Sequence, residues 1–167
     1  MSDTILTTNV NLLQTTKFKL VFNRLPNVEY FLTGLELPGV NLVPAVQPNP
    51  FRDRPVPGDK LMWDNLSIVF NVDEMLENWR EVHSWMYGLG KPTSFEDYKK
   101  LKEKSSVYSD ASLIVTSSHN NATLRFNFVD CWPTSLMGVR FMTTGSANEP
   151  LVSEAIFCYS YYTVEIL

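Results

Sequence analysis

Histidines, cysteines and clustered carboxylates are the side chains through which a chain of this size could do chemistry, and here they are few and scattered. The two histidines are His83, inside a helical pattern, and His119, inside a polar turn. Neither has companions at the spacing that a metal site or a nucleophilic triad requires: there is no HExxH, GxSxG or CxxC. Gly88-Leu89-Gly90-Lys91-Pro92 is superficially a phosphate loop, but Trp85 holds the earlier glycine position and Pro92 the Ser/Thr position, so the run reads as a helix stop. Asp59, Asp64, Asp73, Glu74, Glu77 and Glu81 could place carboxylates together. Half of them are explained by a helix start, and a carboxylate pair alone cannot be told from a solvated face. The reading is therefore no enzyme, with no catalytic, cofactor or metal residues.

Composition narrows the remaining classes. The 167 residues carry 14 Lys+Arg against 18 Asp+Glu, a formal net charge of -4, and are 44% hydrophobic, 13% aromatic and only 19% charged. Such a chain has one domain's length, over residues 1–167, and enough apolar mass for a real core. Disorder is excluded, because it needs few aromatics and high net charge. Sequence-reading nucleic-acid binding is disfavoured, because no positive field is present to attract phosphates. Cys131 and Cys158 lie in apolar strand-like runs and read as buried reduced thiols. Residues 1–16 are polar, with no signal-peptide pattern, and no apolar run approaches a membrane span, which predicts a protein made and kept in a cytoplasm. In that setting the acceptor-like triplets at Asn65 and Asn121 are chance matches. What needs explaining is the abundance of Trp, Tyr and Phe beside so few solubilising charges.

The elements follow from periodicity. Lys17–Asn23 alternates charged and apolar residues, as a half-buried strand does. Pro26-Asn27 reads as a turn, Tyr30–Leu37 as a strand and Val40–Val46 as extended chain. Residues 47–61 form a proline-rich extended arm, since Pro48, Pro50, Pro55 and Pro57 remove ladder donors and forbid a helix or central strand. Trp63–Val72 is a strand with Leu66, Ile68, Phe70 and Val72 on one face. Asp73 then caps a helix whose apolar stripe is Met75, Trp79, Val82, Met86 and Leu89, with Trp85 on the flank. A shorter helix is expected from Ser94, ending in Lys99, Lys100, Lys102 and Lys104. Ala111–Thr116 and Thr123–Trp132 form a hairpin across Ser117–Asn121, with Pro133 closing it, and Ser135–Thr143 is a further strand. The last strand, Val152–Val164, has apolar residues on both faces. An antiparallel strand with one wet face should be polar there, so one face is buried either in the fold or by another subunit. The class is mainly β: an antiparallel barrel or sandwich with one inserted helix and a short second one.

An arm, a two-faced final strand and no chemical site suit a self-assembling subunit. Composition alone leaves an ordinary monomer with a large aromatic core, or a small barrel that binds a peptide or glycan, as open alternatives.

Several elements in order carry a resemblance: Leu35-Glu36-Leu37-Pro38-Gly39 after an early strand, the arm, and Gly58-Asp59-Lys60-Leu61-Met62-Trp63-Asp64-Asn65-Leu66-Ser67-Ile68-Val69-Phe70-Asn71-Val72-Asp73-Glu74. A helix with Trp79 and Trp85 follows, and then Cys131-Trp132-Pro133-Thr134-Ser135-Leu136. Over residues 17–165 the chain resembles the tail tube protein family of contractile-tailed bacteriophages. That resemblance implies a β-barrel flanked by a helix, assembled as homo-hexameric rings that stack into a hollow tube. Genome DNA passes through the lumen without specific binding, inside a contractile sheath mounted on a baseplate. The implied location is the virion tail, assembled in the host cytoplasm, and no cofactor is implied. The same fold serves tube-initiating baseplate proteins, tube-capping proteins and secretion-system tubes. Ring closure would come from strand edges pairing across subunits, and stacking from the pre-extended arm. The expected inter-ring and inter-subunit contacts are Pro50, Phe51, Arg52, Arg54, Pro55, Pro57, Asp59 and Trp63 on the arm, with Tyr159 and Tyr161 on the final strand. Residues 1–16 would form a flexible or interface-forming arm, and the lumen should be neutral or acidic.

Overall fold

The computed structural model describes residues 12–90, 107–144 and 149–167. The short helix expected from Ser94, with its lysines, lies outside the described residues, as do residues 1–11. The chain order is β1 (Phe18–Phe22), α1 (Pro26–Tyr30), β2 (Leu32–Glu36), β3 (Val40–Leu42), β4 (Ala45–Gln47), β5 (Arg54–Val56), β6 (Leu61–Trp63), β7 (Leu66–Asn71), α2 (Glu77–Gly90), β8 (Ser109–Thr116), β9 (Ala122–Leu136), β10 (Val152–Cys158) and β11 (Tyr161–Ile166). The mainly β, antiparallel class expected from the sequence is what the structure shows. Seven strands run in the order β1-β8-β9-β10-β7-β2, with β11 also on β9, while β3-β6 and β4-β5 form separate pairs.

Strand β9, 15 residues long, organises the rest. Its first part lies between β8 and β11, and its last part runs beside β10. The bend between the two parts falls at Asp130, whose φ is 56°, a left-handed conformation that aspartate tolerates better than most residues. Asp110 Oδ1 accepts the Asp130 N–H at 3.1 Å, and Ser160 Oγ donates to Asp130 Oδ2 at 3.4 Å. Opposite this bend the final strand breaks at Tyr159-Ser160, so the single strand expected over Val152–Val164 is two, β10 and β11. Pro133, expected to end β9, instead sits buried within it. The register with β10 shifts there, between Ile156 and Phe157, and a bulge has no need of the N–H that proline lacks. Residues 137–143, read as a further strand, are not one.

Two helix readings also change. Pro26-Asn27 opens α1 rather than a turn: proline at the first helical position loses no intrahelical bond and presets φ. Helix α2 begins at Glu77, not Asp73, because Leu76 has a φ of 54° and resets the helical phase. Asp73 still accepts the Asn78 N–H, at 3.1 Å. The buried residues of α2 are consequently Asn78, Val82, Trp85 and Gly88, so Trp85 moves from the flank to the centre and Met75 is 73% exposed. Asn78 can sit inside because its Nδ2 donates to the Asn71 carbonyl at 2.7 Å and its Oδ1 accepts the Trp79 N–H at 2.8 Å. The described part of the helix reaches Gly90, inside the Gly88–Pro92 run read as its stop.

Aromatics fill the space between the sheets and α2. The Phe22 ring lies 5.1 Å from Phe157 and 6.2 Å from Trp85, and Phe128 contacts Tyr159 and Tyr162 edge-on at 5.1 and 5.5 Å. Trp85 Nε1 donates to the Val107 carbonyl at 3.2 Å, and the Arg24 guanidinium lies 4.5 Å from the ring centroid. The hairpin β8-β9 forms as expected, with its turn closed by Ser117 and Asn121. Leu66, Ile68 and Phe70 occupy the buried face of β7 as the alternation predicts.

Helix α1 is tied to α2 by Asn27 Nδ2, which donates to Glu81 Oε1 at 2.6 Å, while Glu81 Oε2 is buried without a hydrogen-bond partner. Burial pushes the Glu81 carboxyl above its usual range, against the opposing hydrogen bonds from Asn27. A raised native value means that the folded state holds this proton more tightly than the unfolded state does. The resulting stability is complete below the unfolded value and is lost as pH rises through the native one. The stability of Glu81→Gln relative to wild type should therefore rise between pH 4 and pH 7, as read by urea unfolding; a difference that does not vary with pH contradicts the assignment.

Candidate assembly surface

Residues 40–63 leave the body as a two-stranded ribbon. Val40 pairs with Trp63 and Leu42 with Leu61 near its root, and Ala45 pairs with Val56 and Gln47 with Arg54 further out. The arm expected to lack strands thus folds back on itself. Pro55 is tolerated because each ribbon strand has only one neighbour and therefore a free edge. Gly58 is required at the crossing: a Cβ there would meet the Val43 carbonyl oxygen at 1.8 Å. The root is fixed by the Trp63 ring, 4.7 Å from Tyr162, and by the Tyr159 hydroxyl, which donates to the Asp64 carbonyl at 2.8 Å. Beyond the root nearly all of the ribbon's described residues are exposed. Val40, Leu42, Val46, Leu61 and Met62 are exposed, and Phe51 at the tip is 98% exposed.

The expected contact residues divide accordingly. Pro50, Phe51, Arg52, Arg54, Pro55, Pro57 and Asp59 all lie exposed on the arm. Trp63 and Tyr159 are instead half-buried anchors of its root, and burial raises the Tyr159 hydroxyl above its ordinary value. Tyr161 is exposed at the start of β11.

Sequence reading missed two features. The first is the sheet β1-β8-β9-β11. Its core face carries Leu20, Leu113 and Phe128, and its other face carries cross-strand rows such as Lys19-Ile114-Arg125-Glu165 and Val21-Ser112-Asn127-Thr163. Arg125 lies 3.7 Å from Glu165, and Ser112 Oγ donates to Asn127 Oδ1 at 2.9 Å. Both outer strands, β1 and β11, pair on one side only among the described residues. The second is an open cleft of about 880 Å3 between β1 and β2, where the strand order ends on both sides. Single-strand periodicity shows neither, because which strands lie at the edges is a property of the topology.

The residues that could have carried chemistry are not brought together. Among the described residues, no group of three or more His, Cys, Asp or Glu side chains converges. His83 is stacked between Trp79 and Tyr87 on α2, at 5.1 and 6.1 Å. Cys131 and Cys158 are free thiols: burial pushes Cys131 to about 12, and Cys158 Sγ donates to Asn65 Oδ1 at 3.0 Å.

No protein-family model and no curated protein sequence matches the chain. Solved structures do match it. The anti-feeding prophage (AFP) tube-terminating cap aligns over 100% of both chains with a TM-score of 0.65 at 16% identity. A chain of the extended PVC sheath-tube complex, an extracellular contractile injection system, aligns over 93% of both chains with a TM-score of 0.62 at 13% identity. A chain of the AFP baseplate aligns over 96% of this chain and 97% of its own, with a TM-score of 0.55 at 12% identity. The fold is therefore the tail-tube fold, found in the tube and cap structures of contractile injection systems, as the resemblance implied.

Anchors and exposed residues should behave oppositely on substitution. Tyr159→Phe removes a hydrogen bond at the root and should cost about 1 kcal/mol in urea unfolding of the monomer. Phe51→Ser should cost less than about 0.5 kcal/mol. Equal costs would show that the tip is packed in the free subunit.

Proposed function

We propose that the chain is a structural subunit of a hollow contractile-tail tube: copies close into hexameric rings that stack axially within a sheath and on a baseplate. The observation that carries this reading is the sheet β1-β8-β9-β11, which among the described residues keeps an unpaired edge at each end. Strand edges pair readily with other chains, and a head-to-tail contact between two different edges closes into a ring when the rotation permits. The tail-tube fold supports the reading, and so does a ribbon whose exposed apolar residues call for a cover. In the ring, the face of that sheet turned away from the core lines the lumen. Its charges, among them Lys19, Arg125 and Glu165, are of both signs, so it offers no continuous basic track that would hold a passing polyanion.

In the phage setting the tube conducts genome DNA during ejection, and the particle's tail is the location, after assembly in the host cytoplasm. A second reading is favoured by the full-length alignment with a tube-terminating cap: this subunit would close the end of a tube that other subunits build. Neither reading requires catalysis.

Proline on the free edge tests ring closure. The Leu167 N–H donates to the Thr123 carbonyl, so alternation aims the N–H groups of residues 163 and 165 at β9 and those of Val164 and Ile166 outward. Val164→Pro should therefore fold, with a melting temperature within several degrees of wild type, yet form no rings in electron micrographs. Deleting residues 49–57 should leave rings that do not stack. Long tubes from wild type indicate the main tube subunit and single rings a terminator. Normal rings from Val164→Pro, or normal tubes from the deletion, overturn the corresponding step.

A further inference from the structure

The edges that close the ring carry enough backbone geometry to name the residues that meet there. We propose that each seam between copies is keyed by an ion pair, Glu165 of one copy against Lys17 and Lys19 of the next; this rests on the ring reading above.

Backbone direction narrows the register. The Thr116 N–H donates to the Lys17 carbonyl, so Lys17 and Lys19 bond toward β8, while the amides of Phe18, Leu20 and Phe22 point away from it. Glu29 Oε2 accepts the Phe22 N–H at 3.2 Å, and the Phe22 carbonyl accepts the Leu25 N–H at 3.2 Å. Phe18 and Leu20 are therefore the residues of β1 that can receive another strand, and β11 offers Tyr162, Val164 and Ile166. The pairings β1-β8, β8-β9 and β9-β11 are all antiparallel, so a rotated copy brings its β11 antiparallel to β1. Two registers then pair both Phe18 and Leu20. One sets Phe18 opposite Val164 and Leu20 opposite Tyr162, which puts Glu165 opposite Lys17. The other sets Phe18 opposite Ile166 and Leu20 opposite Val164, which puts Glu165 opposite Lys19.

The side-chain faces agree. Leu20 and Tyr162 lie on the core side, Tyr162 against Phe128, so either register joins core face to core face and lays the exposed Val164 beside the apolar side of β1. The lysines and Glu165 share the opposite face. They sit at positions whose amides turn away from the seam, where facing side chains approach most closely. Their present contacts are loose or uncharged: Lys19 lies 3.9 Å from Glu29, Glu165 lies 3.7 Å from Arg125, and Lys17 Nζ donates to Asn120 Oδ1 at 2.6 Å. Opposite signs on two different edges also favour head-to-tail joining over joining of like edges.

Two charge-reversed populations test the pair. Glu165→Lys gives a copy with lysine at both edges; Lys17→Glu with Lys19→Glu gives a copy with glutamate at both. None of the three residues is buried, so each variant should melt within several degrees of wild type. Each alone should need at least about tenfold more protein than wild type to form rings in electron micrographs. Their equimolar mixture should form rings at the wild-type concentration, because alternating the two around an even-membered ring restores opposite charges at every seam. A merely structural role for these side chains gives no such rescue. In wild type, which needs no variant to fold, raising salt from about 0.05 M to about 0.5 M should raise the ring-forming concentration. Rings from either variant alone at the wild-type concentration, no rings from the mixture, or no response to salt overturns the ion pair and leaves the ring reading standing. No rings from wild type at any concentration overturns both.

Discussion

Backbone hydrogen bonding left open at the edges of the described sheet is the constraint on which this structure turns. A β-sheet satisfies its N–H and C=O groups only where each strand has two neighbours, and among the described residues β1, β2 and β11 each have one. A domain that lives alone blunts such edges with charge, proline or a covering loop. Strand β11, Tyr161-Tyr162-Thr163-Val164-Glu165-Ile166, has one charge and no proline, and β1, Phe18-Lys19-Leu20-Val21-Phe22, has one lysine. The ribbon has the same deficit in its side chains, since a lone two-stranded pair with both faces wet is marginal in water. In the proposed assembly each incomplete surface is covered by a second copy.

The bend in β9 allows these edges to coexist with a well-packed interior. At Asp130 the strand leaves the β8 and β11 side and joins β10, so one strand closes the core on two sides. The Phe22, Trp85 and Phe157 cluster fills the angle between them. Much of the unusual aromatic content is thus interior. In the proposed assembly the shortage of charge belongs to the exterior, since surfaces that would meet other copies need fewer solvating groups than surfaces that meet water.

The class and the strands were legible wherever a residue's own neighbours decide its state. Alternation located β1, β7, β8 and the first part of β9, because one face of each meets the core. The reading failed where a single backbone geometry overruled the pattern. Leu76 reset the phase of α2, Asp130 and Ser160 divided the last strand, and Pro133 was carried by a bulge that only its partner strand reveals. The arm was legible as proline-rich and extended, but not as a ribbon, since Pro55 argues against a strand unless both of its edges are known. The cleft was not legible at all, because it exists only where β1 and β2 end the strand order.

If edge pairing between copies closes the assembly, the outward amides of β11 must change partners from water to protein. Hydrogen–deuterium exchange of β11, compared between dilute subunits and assembled particles, reads that directly. The account predicts that the N–H groups of Tyr162, Val164 and Ile166 exchange quickly when dilute and at least about 100-fold more slowly in particles. Particles in which these amides exchange as fast as in the free subunit would contradict it.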